Sequence, residues 1–361
     1  MSTDHDVHEG ARQPARPSPR EASEAFADPA QLIDSFRGEY EFLSNFYRAA
    51  LRIEGETYAG GEWAFNALKT LDLDQRVTVR QAATASRAKA AGQRVTLRVP
   101  KKDWDSRVRY QVMAQVVRAK FEDVTLRNSL IATRDALLIE GTGTARRAWH
   151  DQAWGQCYCD KHRAWCGGNA LGLALMAERD RLRGAHRRWT RVAVTGHRPH
   201  LLDEGQAAFA RAELSRLALK LKTAHHAKVA ISGMSTGADA WWADTALAAG
   251  LDLWAYIPFW GQPDRWAPGQ AQHWEDQVAR ASRRLVLGQA SDVAMYHERN
   301  NFMLRDANAL IAVHDPAHTS GGTASTIAKA RAAGRPLILV DVVSRRTTIE
   351  NPDGPASVAR P

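Results

Sequence analysis

Glu62, in GGEWAFNALKT, stands seven residues before Lys69. That is about two helical turns, so both side chains lie on one face of a helix. Taken alone, the pair reads equally well as a solvated acid near a solvated base. Glu140, in LLIEG, follows an apolar run, and Asp151, in WHDQAWGQ, lies between Trp149 and Trp154. An apolar setting raises a carboxyl pKa and lets a planar ring stack beside the acid. These carboxylates are the first candidates for acid–base work.

The three cysteines all fall in WGQCYCDKHRAWCGGN. Cys157, Cys159, His162 and Cys166 form C-x-C-x2-H-x3-C, enough donors for a structural, tetrahedral zinc site. The spacing is not a common finger spacing, and C-x-C strains a shared tetrahedron. A loop that shapes a neighbouring pocket is the alternative. Three further segments are rich in glycine and hydroxyls. VTGHRP carries Gly196, His197 and Arg198. SGMSTGAD carries Ser232, Gly233, Gly237 and Asp239. HTSGGTAST carries Gly321, Gly322, Thr323 and Thr326. Glycine allows close backbone approach, and hydroxyl and N–H groups suit phosphate oxygens.

The elements that position these residues read as two units. Residues 1–30 are poor in large apolar side chains and rich in Pro, Ser, Arg and Glu, which predicts a disordered tail. Residues 31–183 begin with short strands and turns and become mostly helical, an α+β unit. In SRVRYQVMAQVVRAKFEDV, Val108, Val112, Val116, Met113, Val117 and Phe121 share one apolar face. A last helix is expected to start at Asn169 as N-cap and to stop at Gly184. Residues 184–190 read as a linker. After it RVAVT, KVAIS, LDLWAYIPF, RRLVLG, ALIAVHD and PLILVDV alternate with helical sequence. Continuous apolar runs of this length fit strands buried on both faces. The expected fold of 191–343 is therefore α/β, a doubly wound parallel sheet, with the glycine-rich loops at its carboxyl edge. Residues 344–361 read as a flexible tail.

The chain of 361 residues carries a net charge of +9. That balance favours anionic partners, unless it only reflects a preference for Arg. There is no membrane-length apolar run and no apolar leader, and the low cysteine count fits a reducing compartment, so a cytoplasmic location is expected.

Two resemblances sharpen the reading. TGHRP, SGMSTGADAWWADTAL, IPFWGQPDRW, RNNFMLRDANALIAVHD and SGGTASTIAKARAAGRP resemble the SLOG superfamily, near its YspA-like branch. The resemblance covers residues 190–342 and implies a Rossmann-like domain that binds a nucleotide-like ligand through the loop residues named above. The superfamily's phosphoribohydrolases carry PGGxGTxxE. Here Ser320, Ala324, Ser325 and Ala328 replace its Pro, inner Gly, Thr and catalytic Glu, so a binder or sensor is implied.

FRGEYEFLSNFY, EWAFNALK, SRAKAAGQRV, KDWDSRVRYQVMAQVVRAKF, LIEG, DQAWG and GGNALGLALMAER resemble the NADAR family in order and spacing over residues 36–183. The family is associated with NAD and ADP-ribose metabolism, and its members include N-glycosidases. The resemblance places the family's Glu on Glu62, its Asp on Asp151, its Trp and Gly on Trp154 and Gly155, and its Asn on Asn169. The His that usually follows the Glu is Trp63 here. Cleavage of a ribosyl C–N bond passes through an oxocarbenium-like centre. It needs a carboxylate to stabilise that charge or activate water, and an acid for the leaving nitrogen. Glu62 and Asp151 fit these roles, and their division between the two is open. Arg37, Asn45, Phe46, Lys69, Lys120, Trp154 and Asn169 are the substrate-binding candidates. This chemistry requires no cofactor, and with DQAWG and GGNALG on its flanks the cysteine stretch is better read as a pocket-shaping insertion, structural zinc remaining the alternative.

The expected activity is N-glycosidase action on an ADP-ribosyl or ribose-phosphate conjugate. The expected partner is an NAD- or ADP-ribose-related or ribose-phosphate small molecule, or ADP-ribosylated nucleic acid, with no membrane; a homo-oligomer is left open. The alternatives are a non-enzymatic nucleotide sensor or nucleic-acid binder, and a glycosidase of riboflavin-pathway intermediates.

Overall fold

The computed structural model describes residues 31–141, 151–159, 164–184, 189–289 and 291–353, with the main chain alone at Cys159. The expected tail at 1–30, the middle of the expected linker, the end of the chain and His162 lie outside the described residues.

In the first unit, β1 (Leu32–Ile33) pairs in parallel with β4 (Leu137–Leu138), and β2 (Leu51–Ile53) pairs antiparallel with β3 (Glu56–Tyr58). Around them pack α1 (Gly61–Ala67), α2 (Leu73–Arg80), α3 (Ala85–Ala91), α4 (Arg109–Lys120), α5 (Val124–Ala132) and α6 (Ala170–Leu182). Local chemistry starts several of them. Asp72, Thr84 and Asp123 each accept a backbone N–H of the first turn that follows, at α2, α3 and α5. On α4 the expected apolar face is buried through Val112, Met113, Val116 and Val117.

The hairpin of β5 (Cys157–Cys159) and β6 (Ala164–Cys166) leaves this unit, and β6 pairs antiparallel with β10 at Ala164 and Gly288. The second unit supplies the parallel strands β7 (Arg191–Gly196), β8 (Val229–Ser232), β9 (Asp252–Phe259), β10 (Arg283–Gly288), β11 (Ala309–His314) and β12 (Leu337–Asp341). The full sheet runs β13-β12-β11-β7-β8-β9-β10-β6-β5. Successive side chains face opposite sides of a strand. Val192 and Val194 accordingly meet α7 (Glu204–Ala224) and α8 (Ala238–Ala248). Leu253, Ala255 and Ile257 meet α8 and α9 (Pro268–Arg280). Ala193, Trp254 and Tyr256 face the other side, with α10 (Val293–Asp306) and α11 (Gly321–Ala332). Helices therefore cover both faces of the sheet, and strand order reverses between β7 and β11.

Two expected boundaries move. Residues 344–350 are not part of a frayed tail: β13 (Arg346–Glu350) pairs antiparallel along β12. Glu350 joins Arg331, and the Thr347 hydroxyl donates to Glu213. Trp189 and Thr190 are not linker either. Trp189 is buried and stacks on His225 at 4.0 Å, and the Thr190 hydroxyl donates to Asn308 Oδ1. The units share one continuous core, because the apolar residues of the first unit and those under α10 form a single cluster. Polar ties cross the same boundary. Arg191 Nη1 donates to Asp135 O at 2.7 Å, Lys228 pairs with Asp135 at 2.8 Å, and Trp254 Nε1 donates to Gln31 Oε1. Among the described residues no helix is long and apolar enough to cross a membrane.

Candidate active site

Glu62 sits in the first turn of α1, a helix whose residues are all buried. A Cβ on Gly61 would run into the Asn45 side chain, and one on Gly60 would press on Tyr47 O at 2.8 Å, so these glycines let the 45–47 segment cross the start of α1 closely. That crossing delivers Asn45 to the carboxylate. Asn45 Nδ2 donates to Glu62 Oε2 at 2.8 Å, and Asn66, one turn along α1, donates to Glu62 Oε1 at 2.9 Å. Two amides thus fix a buried carboxylate, as a buried charge requires.

Asp151 opens the turn before β5. Its Oδ1 accepts the backbone N–H groups of Ala153 and Trp154, both at 2.9 Å. The same turn caps α6. Asn169 N donates to Gly155 O, Ala170 N to Ala153 O and Leu171 N to Trp154 O. Backbone carbonyls therefore satisfy N–H groups at the head of α6, and Asn169 does not cap it with its side chain. Instead Asn169 Nδ2 donates to Leu138 O, and its Oδ1 accepts from Glu140 N at 3.0 Å. Asn169 is thus a brace beneath the site.

Glu62, Asp151 and Glu140 line one cavity of about 550 Å³, its open mouth included. Asn45, Phe46, Lys69 and Trp154 line it too, as expected from the sequence. Phe65 meets Trp154 edge-on at 5.1 Å and forms an apolar wall. Lys69 lies over Phe65, and its pKa is lowered by burial against the opposing pull of Glu62. Lys89 lies over Phe46. Burial, with the Asp151 and Glu62 charges, pushes Glu140 up to about 7, against the pull of Lys89.

Three substrate-binding candidates fall elsewhere. Arg37 is exposed and does not line the cavity. Lys120 is buried and does not line it; its Nζ donates to Ser44 O at 2.7 Å and lies near the Tyr47 and Phe121 rings. Asn169 acts through the braces just described. Conversely, Asn66, Lys89 and Gln93 line the cavity although no role had been read for them. Asn66 follows Glu62 at helical i+4 spacing, which was the available signal. Trp63, where the family has His, faces away: it is buried and donates its indole N–H to Ala82 O at 2.7 Å.

Of the zinc candidates, the Sγ atoms of Cys157 and Cys166 lie 3.9 Å apart on directly paired residues of the hairpin. The other two candidate ligands, the Cys159 side chain and His162, lie outside the described residues.

In the second unit the loops after β7 and β8 and the loop before α11 converge. The His197 and His318 rings meet at 5.1 Å, and a Cβ on Gly237, at φ +89°, would press on His197 O. Several loop residues serve the fold rather than an open surface. Ser232 Oγ donates to Asp239 O, buried Asp239 pairs with Arg299 at 3.2 Å, Arg299 also donates to Gly233 O, and Thr326 donates to Gly322 O. Gly196 packs against Ala238 and Val313. Arg198, Gly321 and Gly322 are exposed, Thr323 is half-buried, and His197 is buried between the loops.

The family model described as the NADAR domain matches residues 33–183. The chain is 34% identical over 145 residues to N-glycosidase YbiA of Escherichia coli strain K12, which covers 40% of this chain and 82% of that protein. It is 32% identical over 148 residues to N-glycosidase Npun_R5314 of Nostoc punctiforme, covering 40% of this chain and 86% of that protein. The solved NMR structure of E. coli YbiA covers 45% of this chain and 92% of its own at 30% identity, with a TM-score of 0.36. Through its first unit the chain belongs to the NADAR family, and it is an enzyme that hydrolyses N-glycosyl bonds.

Proposed function

We propose that the cavity of the first unit hydrolyses the ribosyl C–N bond of an ADP-ribosyl or ribose-phosphate conjugate, with Glu62 and Asp151 as its central carboxylates. The observation that carries this reading is their meeting in one cavity, which the Phe65–Trp154 wall, Lys69 and Lys89 also line. The wall suits a planar leaving base. The two lysines suit a phosphate: Lys69, a candidate from the sequence, is joined by Lys89, while Arg37 and Lys120 lie elsewhere. An oxocarbenium-like centre at the ribose carbon is stabilised by a carboxylate held as Glu62 is held.

Residues 191–343 act in this reading as a SLOG-like, Rossmann-like domain that binds a nucleotide-like anion. Its ligand lies at the strand-order reversal between β7 and β11, beside His197, Arg198 and residues 321–323.

The test is incubation of the full chain with ADP-ribosylated guanine DNA, a phosphorylated aminopyrimidine of the riboflavin pathway, and NAD, with products followed by mass spectrometry. Wild-type protein releases a free base or a free ribosyl product from at least one of them. Glu62→Gln lowers that rate by about 10³-fold or more with the melting transition retained. A fully active Glu62→Gln protein removes Glu62 from the mechanism. Release from the aminopyrimidine alone replaces the ADP-ribosyl substrate by the metabolic one.

A further inference from the structure

Three carboxylates line the cavity, and their surroundings divide them. Glu62 receives two side-chain amides, and Asp151 receives two backbone N–H groups. Donors of this kind stabilise the charged form. Glu140 Oε2 is buried and has no hydrogen-bond partner among the described residues. The main chain of Glu140 is nevertheless pinned on both sides: its N–H donates to Asn169 Oδ1, and its carbonyl accepts from Gln156 N at 2.9 Å. The charged groups around it are Glu62 from α1, Asp151 from the turn before β5, Lys89 from α3 and Lys69 after α1. Phe65, Met113, Trp154 and Leu171 supply the apolar remainder of the lining.

We propose that Glu140 is the general acid of the reaction, a carboxylic acid that protonates the leaving nitrogen while Glu62 and Asp151 work as carboxylates. This assignment rests on the N-glycosidase reading of the same cavity. A carboxyl with a buried oxygen and no donor among the described residues, beside two carboxylates, keeps its proton near neutral pH; burial is the main cause and the two neighbouring charges add to it. In the step, the Glu140 proton passes to the base nitrogen as the C–N bond breaks, and the bonding pair stays on that nitrogen. The ribosyl cation faces a carboxylate. Water adds its oxygen to the ribose carbon, and its proton goes to that carboxylate. Solvent exchange then returns a proton to Glu140. One water is consumed, and one free ribose hydroxyl and one N–H are formed.

The experiment compares leaving groups on one sugar phosphate with the full chain. One substrate carries the aminopyrimidine, a poor leaving group. The other carries p-nitrophenol, which departs without protonation. Glu140→Gln is expected to lose about 10²–10⁴-fold on the first and to stay within a few-fold of wild type on the second. Glu62→Gln loses rate on both. Wild type alone gives a second readout that does not depend on the variant folding. Its kcat/KM for the aminopyrimidine falls above about pH 7, where Glu140 loses its proton, and that limb is absent with p-nitrophenol. Equal losses of Glu140→Gln on both substrates, or the same alkaline limb on both in wild type, overturn the assignment and leave the N-glycosidase reading standing. No turnover by wild type of either substrate, of ADP-ribosylated guanine DNA or of NAD overturns both.

Discussion

At Lys120 burial changes what a residue does. It was a substrate-binding candidate, but its ammonium lies under Tyr47 and Phe121 with Ser44 O as acceptor. Burial pulls its pKa from 10.5 down to about 7. Between those values the unfolded chain holds a proton on Lys120 that the folded chain does not, so stability rises as pH rises from about 7 to 10.5. Lys120→Met is expected to remove that part of the pH dependence and to leave KM unchanged. Denaturant unfolding at several pH values, with a KM measurement, checks both. Trp63 is the opposite case. A departure from the family pattern beside the key glutamate turns out to face Ala82 and the core, because adjacent residues on a helix point about 100° apart.

At the scale of elements, β13 corrects the reading of the C-terminus. RTTIE is short and largely exposed, so its apolar content does not announce a strand. It forms one because the edge of β12 offers unpaired backbone groups. A chain stopped after Val343 should lose that cover and the Glu350–Arg331 pair. A loss of about 2 kcal/mol is expected, which lowers Tm by several degrees in a chain of this size. A thermal scan of the truncated chain measures it, and an unchanged Tm would restore the flexible-tail reading. At the other edge, the Cys157–Cys166 hairpin extends the sheet of the second unit through Ala164 and Gly288.

At the scale of the whole molecule, α10 joins the Asp151 turn to the glycine-rich loops of the second unit. Near its middle, Arg299 holds Gly233 O and Asp239 in the loop after β8. Near its end, Arg305 donates to Gly167 O at 2.8 Å and to Gln156 Oε1 at 2.7 Å. Those acceptors belong to the stretch that turns from Asp151 into α6. One rigid helix therefore touches the glycine-rich loops of one unit and the Asp151 loop of the other. Arg305→Ala is expected to lower kcat about tenfold, by releasing the Asp151 turn, with KM nearly unchanged. The matching measurement on the second unit is its affinity, by calorimetry, for the nucleotide-like ligand proposed above. It is expected to stay near wild type, since Arg299 still holds the β8 loop. A kcat equal to wild type would show that the Arg305 contacts do not position the turn.

Much of this protein was legible in its residues. Apolar runs marked β7 to β12, because strands buried on both faces must be apolar throughout. Helical spacing marked α4, and the motif residues Glu62, Asp151 and Trp154 do meet in one cavity. Composition and spacing report which faces are buried and which groups are chemically able. They do not report what lies opposite a group in space. That only the tertiary structure decided. Lys120 and Asn169 became supports, Lys89 and Asn66 entered the cavity, Glu140 Oε2 was left without a donor among the described residues, and β13 and the cysteine hairpin joined one sheet. Each outcome depends on a contact between segments far apart in the chain, where packing and desolvation, not local pattern, set the role of a side chain.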